Sequence, residues 1–143
     1  MKTWKIILVA IAILGIIAAL IVWFFVYNKP HPDFIGAEPD MELPAEQLYF
    51  DFIDDEQLAN ETYIDKVLQI HGEIADVEQV DDMVILSFVF QDGMFGGEGV
   101  RCTIHESFHE EALSLEVGSV VTVKGYCTGF TGSDVIIEHA SFP

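Results

Sequence analysis

The chain is short of positive charge. Six Lys and Arg stand against 24 Asp and Glu, a formal net charge of −18. The shortage is uneven. Lys2, Lys5 and Lys29 lie near the start; from Pro30 onward all 24 acids meet only Lys66, Arg101 and Lys124, a balance of −21. Such a surface repels phosphate backbones, which bind through Lys and Arg that displace counterions. It also favours solubility and resists anionic lipid. Recognisable catalytic patterns are missing too: no nucleophile elbow, phosphate loop, zinc-deaminase signature or Ser-His-Asp order is present. The glycines from Gly93 to Gly99 have no following Lys or helix start and are flanked by acids, so they are no phosphate cradle.

One long apolar run is present. Ile6 to Tyr27 is 22 residues without a charge. As a helix it reaches about 33 Å, enough to cross a hydrocarbon core. Trp4 sits at one end, and Trp23 and Tyr27 at the other, where rings favour the interface. The alternative is a cleaved signal peptide, but the run ends in Trp-Phe-Phe-Val-Tyr, a poor cleavage context, and no cysteine follows for lipid attachment. The reading is a retained signal anchor. No face of the run is polar, which disfavours a soluble core helix. Lys2, Lys5 and the α-amino group before the span, against Lys29 after it, put residues 1–5 in the cytoplasm and the acidic part outside, in the periplasm or at the cell surface. Gly15 and Ala19 have the spacing of some helix dimers, though ordinary membrane-helix composition explains them.

Prolines are few and clustered. Pro30, Pro32, Pro39 and Pro44 are four of five. Each fixes φ and disfavours helix just before it, so residues 28–42 read as an extended stalk with His31 solvated. A helical segment over 43–66 follows. Ala45, Leu48, Tyr49, Phe52 and Ile53 fall on one helix face. A second short helix takes Asp54 or Asp55 as N-cap, with Leu58, Ala59 and Tyr63 inward. The acidic residues between these helices lack a calcium loop and read as a solvated face. Asn60-Glu61-Thr62 matches a glycosylation acceptor, a pattern common by chance.

Residues 67–143 alternate as strands. The organising stretch is Val117 to Ala140. Val121 and Val123 face one way, and Thr122, Lys124 and Tyr126 the other; Gly125 then marks a bend. Leu68 to Gly72 repeats that pattern. Asp81-Asp82 make a turn. Met83 to Phe90 points Val84, Leu86, Phe88 and Phe90 inward. Gln91 to Gly99 reads as a hairpin loop with Met94 and Phe95 at its tip. Val100, Cys102 and Ile104 are the inward side of a third strand, and His105 to Leu115 a short helix. The order strand, strand, strand, helix, strand, strand, with bends in the first and fourth, is that of an OB-fold: a five-stranded Greek-key β-barrel.

At Asp55-Glu56, Ala59, Tyr63, Lys66-Val67, Gly72, Val100-x-Cys102, Gly118-x-x-Val121-x-Val123-x-Gly125-x-Cys127-x-Gly129 and Asp134-Val135 the chain resembles the tRNA_anti-like family of bacterial OB-fold proteins. The resemblance runs from about Leu43 to Phe142. It implies an OB-fold, often behind an N-terminal membrane or lipoprotein segment. The family name records likeness to anticodon-binding domains and does not imply tRNA binding. Many members carry a cysteine late in the last strand; here Ala140 stands there, so a disulfide involving it is absent.

The outward side of strands two and three is the usual OB ligand face. It offers Ile85, Ser87, Val89, Arg101 and Thr103, flanked by Phe95 and Phe130. Aromatics near one Arg could stack a base. With so few cations, however, the face suits a protein, peptide or bacterial-envelope component better, unless the helix Ala45 to Ile53 covers it. Cys102 and Cys127 both point inward. A disulfide between them is the less favoured alternative to buried thiols, because their strands are not neighbours in an OB barrel. His105 and His109 share a helix face and, with Glu106, Glu110, His71 or His139, are weak zinc candidates for a metal-dependent hydrolase. The expectation is a membrane-anchored, non-enzymatic binding module without cofactor. Single-stranded nucleic-acid binding is the runner-up, and nucleic acid is an unfavoured partner.

Overall fold

A computed structural model describes residues 2–27 and 34–143. The expectations for residues 28–33, with Lys29 and His31, lie outside the described residues. The chain divides into two compact units, Met1–Pro32 and Asp33–Pro143.

The first unit holds helix α1, Lys2–Tyr27. None of its residues is buried. It is long and apolar enough to cross a membrane, with mean hydropathy 3.2 over its most apolar 18 residues.

The second unit is mostly sheet. Its strands are β1 (Met41–Pro44), β2 (Val67–Glu73), β3 (Asp76–Val80), β4 (Met83–Gly93), β5 (Gly96–Ile104), β6 (Val120–Phe130) and β7 (Val135–Ser141). Helices α2 (Ala45–Asp54) and α3 (Glu56–Tyr63) lie between β1 and β2. A 3-10 turn at Glu106–Phe108 and helix α4 (His109–Leu113) lie between β5 and β6. The sheet order is β1-β2-β6-β7-β5-β4-β3.

Among the described residues seven strands therefore stand where five were expected, and their ladder does not close into a ring. There are two reasons. Met41–Pro44 pairs in parallel with Leu68 to His71 and takes the outer edge of β2. The expected first strand also divides at Ile74 and Ala75. The Ile74 amide donates to the Ser119 carbonyl, beside β6, whereas the Ala75 amide donates to Ser87 of β4. The chain changes neighbours between consecutive residues, and β3 becomes the other edge.

Alternation fills the core. Leu68, Ile70, Val84, Leu86, Phe88, Val100, Cys102, Val123, Cys127 and Ile137 are buried on the inner side. Two glycines allow close approach there. A Cβ on Gly99 would strike the Phe88 carbonyl oxygen, and one on Gly125 the Ile137 side chain. Helix α2 closes one end of the sheet. Leu48, Tyr49 and Phe52 are buried, with Phe52 stacked on Phe130 at 5.2 Å and tilted against Tyr63 at 5.9 Å. Asp55 caps α3 by accepting the Leu58 amide at 3.1 Å. Ile53 and Leu58, expected inward, are 44% and 60% exposed because Phe52, Ala59 and Tyr63 take the buried side.

Two more expectations change. The loop over Gln91 to Gly99 is mostly strand: Gly93 pairs with Gly96, leaving Met94 and Phe95 as a two-residue tip. Gly96 makes this possible at φ 126°, a conformation open to glycine. The stalk expected over 28–42 is, in its described part, bound to the sheet. The Asp40 amide donates to the Val67 carbonyl, the Asp40 carboxylate accepts the Val67 amide at 2.9 Å, and β1 begins at Met41.

Candidate ligand-binding face

Residues opposite one another in a ladder share a face of the sheet. Ile85 of β4 stands between Glu78 of β3 and Thr103 of β5. Ser87 stands between Asp76 and Arg101, and Val89 opposite Gly99. Arg101 in turn faces Ile136 of β7. Ile85, Ser87, Val89, Arg101 and Thr103 thus lie together on the outer face. Val89 is 39% exposed, and Ile85, Ser87 and Thr103 are half-buried. Helix α2 buries Leu48, Tyr49 and Phe52 in the core, and its Glu46 lines a groove with Val89 and Phe90.

The two aromatic candidates go elsewhere. Phe95 sits at the β4–β5 tip and is 99% exposed. Phe130 is stacked under α2 on Phe52 and does not flank the face.

The face is acidic. Its cation, Arg101, meets Asp134, with Nε 3.3 Å from Oδ2. The other Asp134 oxygen accepts the Gly99 amide at 3.0 Å, which fixes the carboxylate in position. Asp76 and Glu78 border one side of the face, and Glu138, two residues beyond Ile136, the other; all three are exposed. Sequence alternation could have put these acids on the face once β3 was recognised as an edge strand paired to β4.

The histidines share a groove without forming a metal centre. His105, His109 and His139 line an open groove of about 430 Å³ with Asp82, Glu106 and Glu138. The His105 Nδ1 accepts the Ser107 amide at 3.2 Å, and the His109 Nε2 contacts the Ile104 carbonyl at 3.0 Å. Among the described residues no three His, Cys, Asp or Glu are placed to hold a metal ion. His71 is exposed on β2, away from this group.

Cys102 and Cys127 are free and buried. Both pair with Ile137, one from each side. Two ladder spacings separate their backbones by about 9.5 Å, beyond the roughly 7 Å reach of a disulfide. Burial pushes the Cys127 thiol up to about 12 and the Cys102 thiol higher still, with Cys127 adding to the latter effect. Neither is poised as a nucleophile.

Sequence reasoning missed a second cluster, at residues 34–40. Phe34 stacks on Tyr126 at 4.5 Å and on His139 at 5.1 Å. The Lys124 ammonium donates to the carbonyls of Ile35 and Ala37, each at 2.7 Å. Tyr126 donates to Asp65 at 2.6 Å.

The sequence profile of the tRNA_anti-like family matches residues 1–141. The chain belongs to that family. The match takes in α1 and so begins earlier than the resemblance read from Leu43. No curated protein matches the chain. Among solved structures, a Klebsiella pneumoniae lipoprotein provisionally assigned to nucleic-acid binding is similar at TM-score 0.53 and 15% identity, over 80% of this chain and 99% of that one. An aspartyl-tRNA synthetase from Entamoeba histolytica gives TM-score 0.43 at 15% identity, over 79% of this chain and 26% of that one. The Stn1–Ten1 complex of S. pombe gives 0.39 at 23% identity, over 54% and 57%.

Proposed function

We propose that this protein is a membrane-anchored OB-fold module that works outside the cytoplasm and binds a protein, peptide or envelope component without catalysing a reaction. The OB reading is supported by the order β2-β6-β7-β5-β4-β3, whose two end strands are joined through Ile74 and Ala75. The anchor reading is supported by α1, which exposes apolar side chains all round and has no polar face to present to water. Its inclusion in the family match agrees, as does the lipoprotein nature of the Klebsiella relative. Residues 1–5 then lie in the cytoplasm, and the sheet lies beyond the membrane.

The observation that carries the binding role is the outer face itself. It is folded, open and acidic, and its Arg101 is committed to Asp134. Such a face favours cationic or neutral partners over phosphate backbones. The non-catalytic reading is supported by thiols held protonated by burial and by histidines engaged with backbone groups.

A second reading, single-stranded nucleic-acid binding, is favoured by the assignment attached to the Klebsiella relative. One experiment separates the two. A photoreactive residue at Ser87, in the full chain in its own membrane, is expected to give a discrete adduct that resists nuclease. A nuclease-sensitive adduct would overturn the proposal in favour of the second reading.

A further inference from the structure

We infer that the outer face of β3, β4 and β5 docks a basic, amphipathic stretch of polypeptide. The inference rests on the binding-module reading and gives it a surface and a partner chemistry.

The face carries apolar side chains, the Arg101–Asp134 ion pair between Ser87 and Ile136, and acidic sides. Ile85, Val89 and Ile136 point outward along it. Asp76 and Glu78 stand on the neighbouring strand to one side, about 5 Å away at sheet spacing. Glu138 stands on the other side. None of these three acids is ion-paired among the described residues. Beyond Val89 the β4–β5 hairpin ends in Met94 and Phe95, 90% and 99% exposed.

Charge complementarity selects the occupant. A second copy of this chain would set acid against acid on this face. Anionic lipid and nucleic acid would meet the same repulsion. A neutral apolar partner would leave Asp76, Glu78 and Glu138 partly dehydrated without a counter-charge. A segment in which Lys or Arg flanks aliphatic side chains satisfies both parts of the face. An extended segment repeats each side every 6.6–6.8 Å, roughly, which matches the spacing of Ile85 and Val89 in steps of two residues. The hairpin tip offers such a segment further apolar contact past the end of the sheet.

The test uses the full chain in zwitterionic nanodiscs and a fluorescent synthetic peptide of alternating Lys and Val. The same pattern with Glu for Lys, and an oligothymidylate, serve as comparison probes. Two variants remove equal charge from exposed sites: Asp76→Asn with Glu78→Gln on the face, and Glu56→Gln with Glu61→Gln on α3. The face variant is expected to weaken the Lys peptide at least tenfold and the α3 variant less than twofold. Ile85→Lys, which puts a like charge among the peptide's lysines, is expected to abolish binding while leaving the circular dichroism unchanged. Equal weakening by the two charge variants would reduce the effect to general attraction and overturn the inference. Equal binding of the Glu peptide or the oligonucleotide would overturn it too. If the Lys peptide fails to bind but photoreactive residues elsewhere on the sheet still give nuclease-resistant adducts, the surface assignment falls and the binding-module reading stands.

Discussion

The Lys124 Nζ donates to the Ile35 carbonyl at 2.7 Å, across a separation of 89 residues. A second bond to Ala37 and the Phe34 stack on Tyr126 complete a clamp on the segment just before β1. The clamp turns residues 34–40 from a free linker into part of the folded unit. It also uses one of the three cations available after Pro30 for structure.

Lys124→Met is therefore expected to destabilise the folded unit by about 2 kcal/mol, toward the lower end for hydrogen bonds to a charged group, because the ammonium is only half-buried. Limited proteolysis should reveal new cleavage within residues 34–40. Unchanged cleavage and unchanged thermal unfolding would show that the clamp contributes nothing.

Close packing at glycine makes a second test. Gly99→Ala and Gly125→Ala force a Cβ onto the Phe88 carbonyl and the Ile137 side chain. Each is expected to lower stability by about 3 kcal/mol or more, at the severe end for overpacking. Gly129→Ala meets nothing within 4 Å and is the matched control, expected to cost under about 1 kcal/mol. Chemical denaturation of all three checks the contrast.

Alkaline pH should unfold the protein through groups that burial keeps protonated. Burial and the hydrogen bond to the Asp51 carboxylate raise the Tyr63 hydroxyl to about 12, and burial raises the Cys127 thiol to about 12. The folded state thus holds these protons more tightly than the unfolded chain. Their stabilising effect is complete below the unfolded values, near 9 for Cys127 and 10 for Tyr63, and is lost as pH climbs toward 12. Stability measured from pH 8 to 12 should decline from about pH 9. Replacing Cys102 and Cys127 together by Ala should flatten the first part, because burial raises both thiols from near 9, and Tyr63→Phe the second. Thiol reagents at pH 8 should leave both cysteines unlabelled until the chain unfolds.

Much of this fold was legible locally. Period-2 alternation identified the inner rows through Val84, Leu86 and Phe88, and through Val100, Cys102 and Ile104. The 3.6-residue pattern identified α2, and the uncharged run identified α1. What escaped depends on distant pairing. Met41–Pro44 is too short, and too close to two prolines, to announce itself as a strand; only β2 beside it makes it one. Phe130 follows a strand and precedes a turn, so it looks free, but Phe52 comes to it from α2. The five face residues on β4 and β5 were readable because alternation fixes their side of the sheet. Asp76 and Glu78 were not, because their place depends on the change of neighbours at Ile74 and Ala75.

Helix α1 is expected to hold an acidic binding module outside the cytoplasm. This is tested most directly by fusing paired reporters after Pro143 of the full chain, one active only outside the cytoplasm and one only inside. Activity of the external reporter alone, lost when two leucine-to-arginine changes at Leu14 and Leu20 break the span, is the predicted result. Activity of the cytoplasmic reporter would contradict the account.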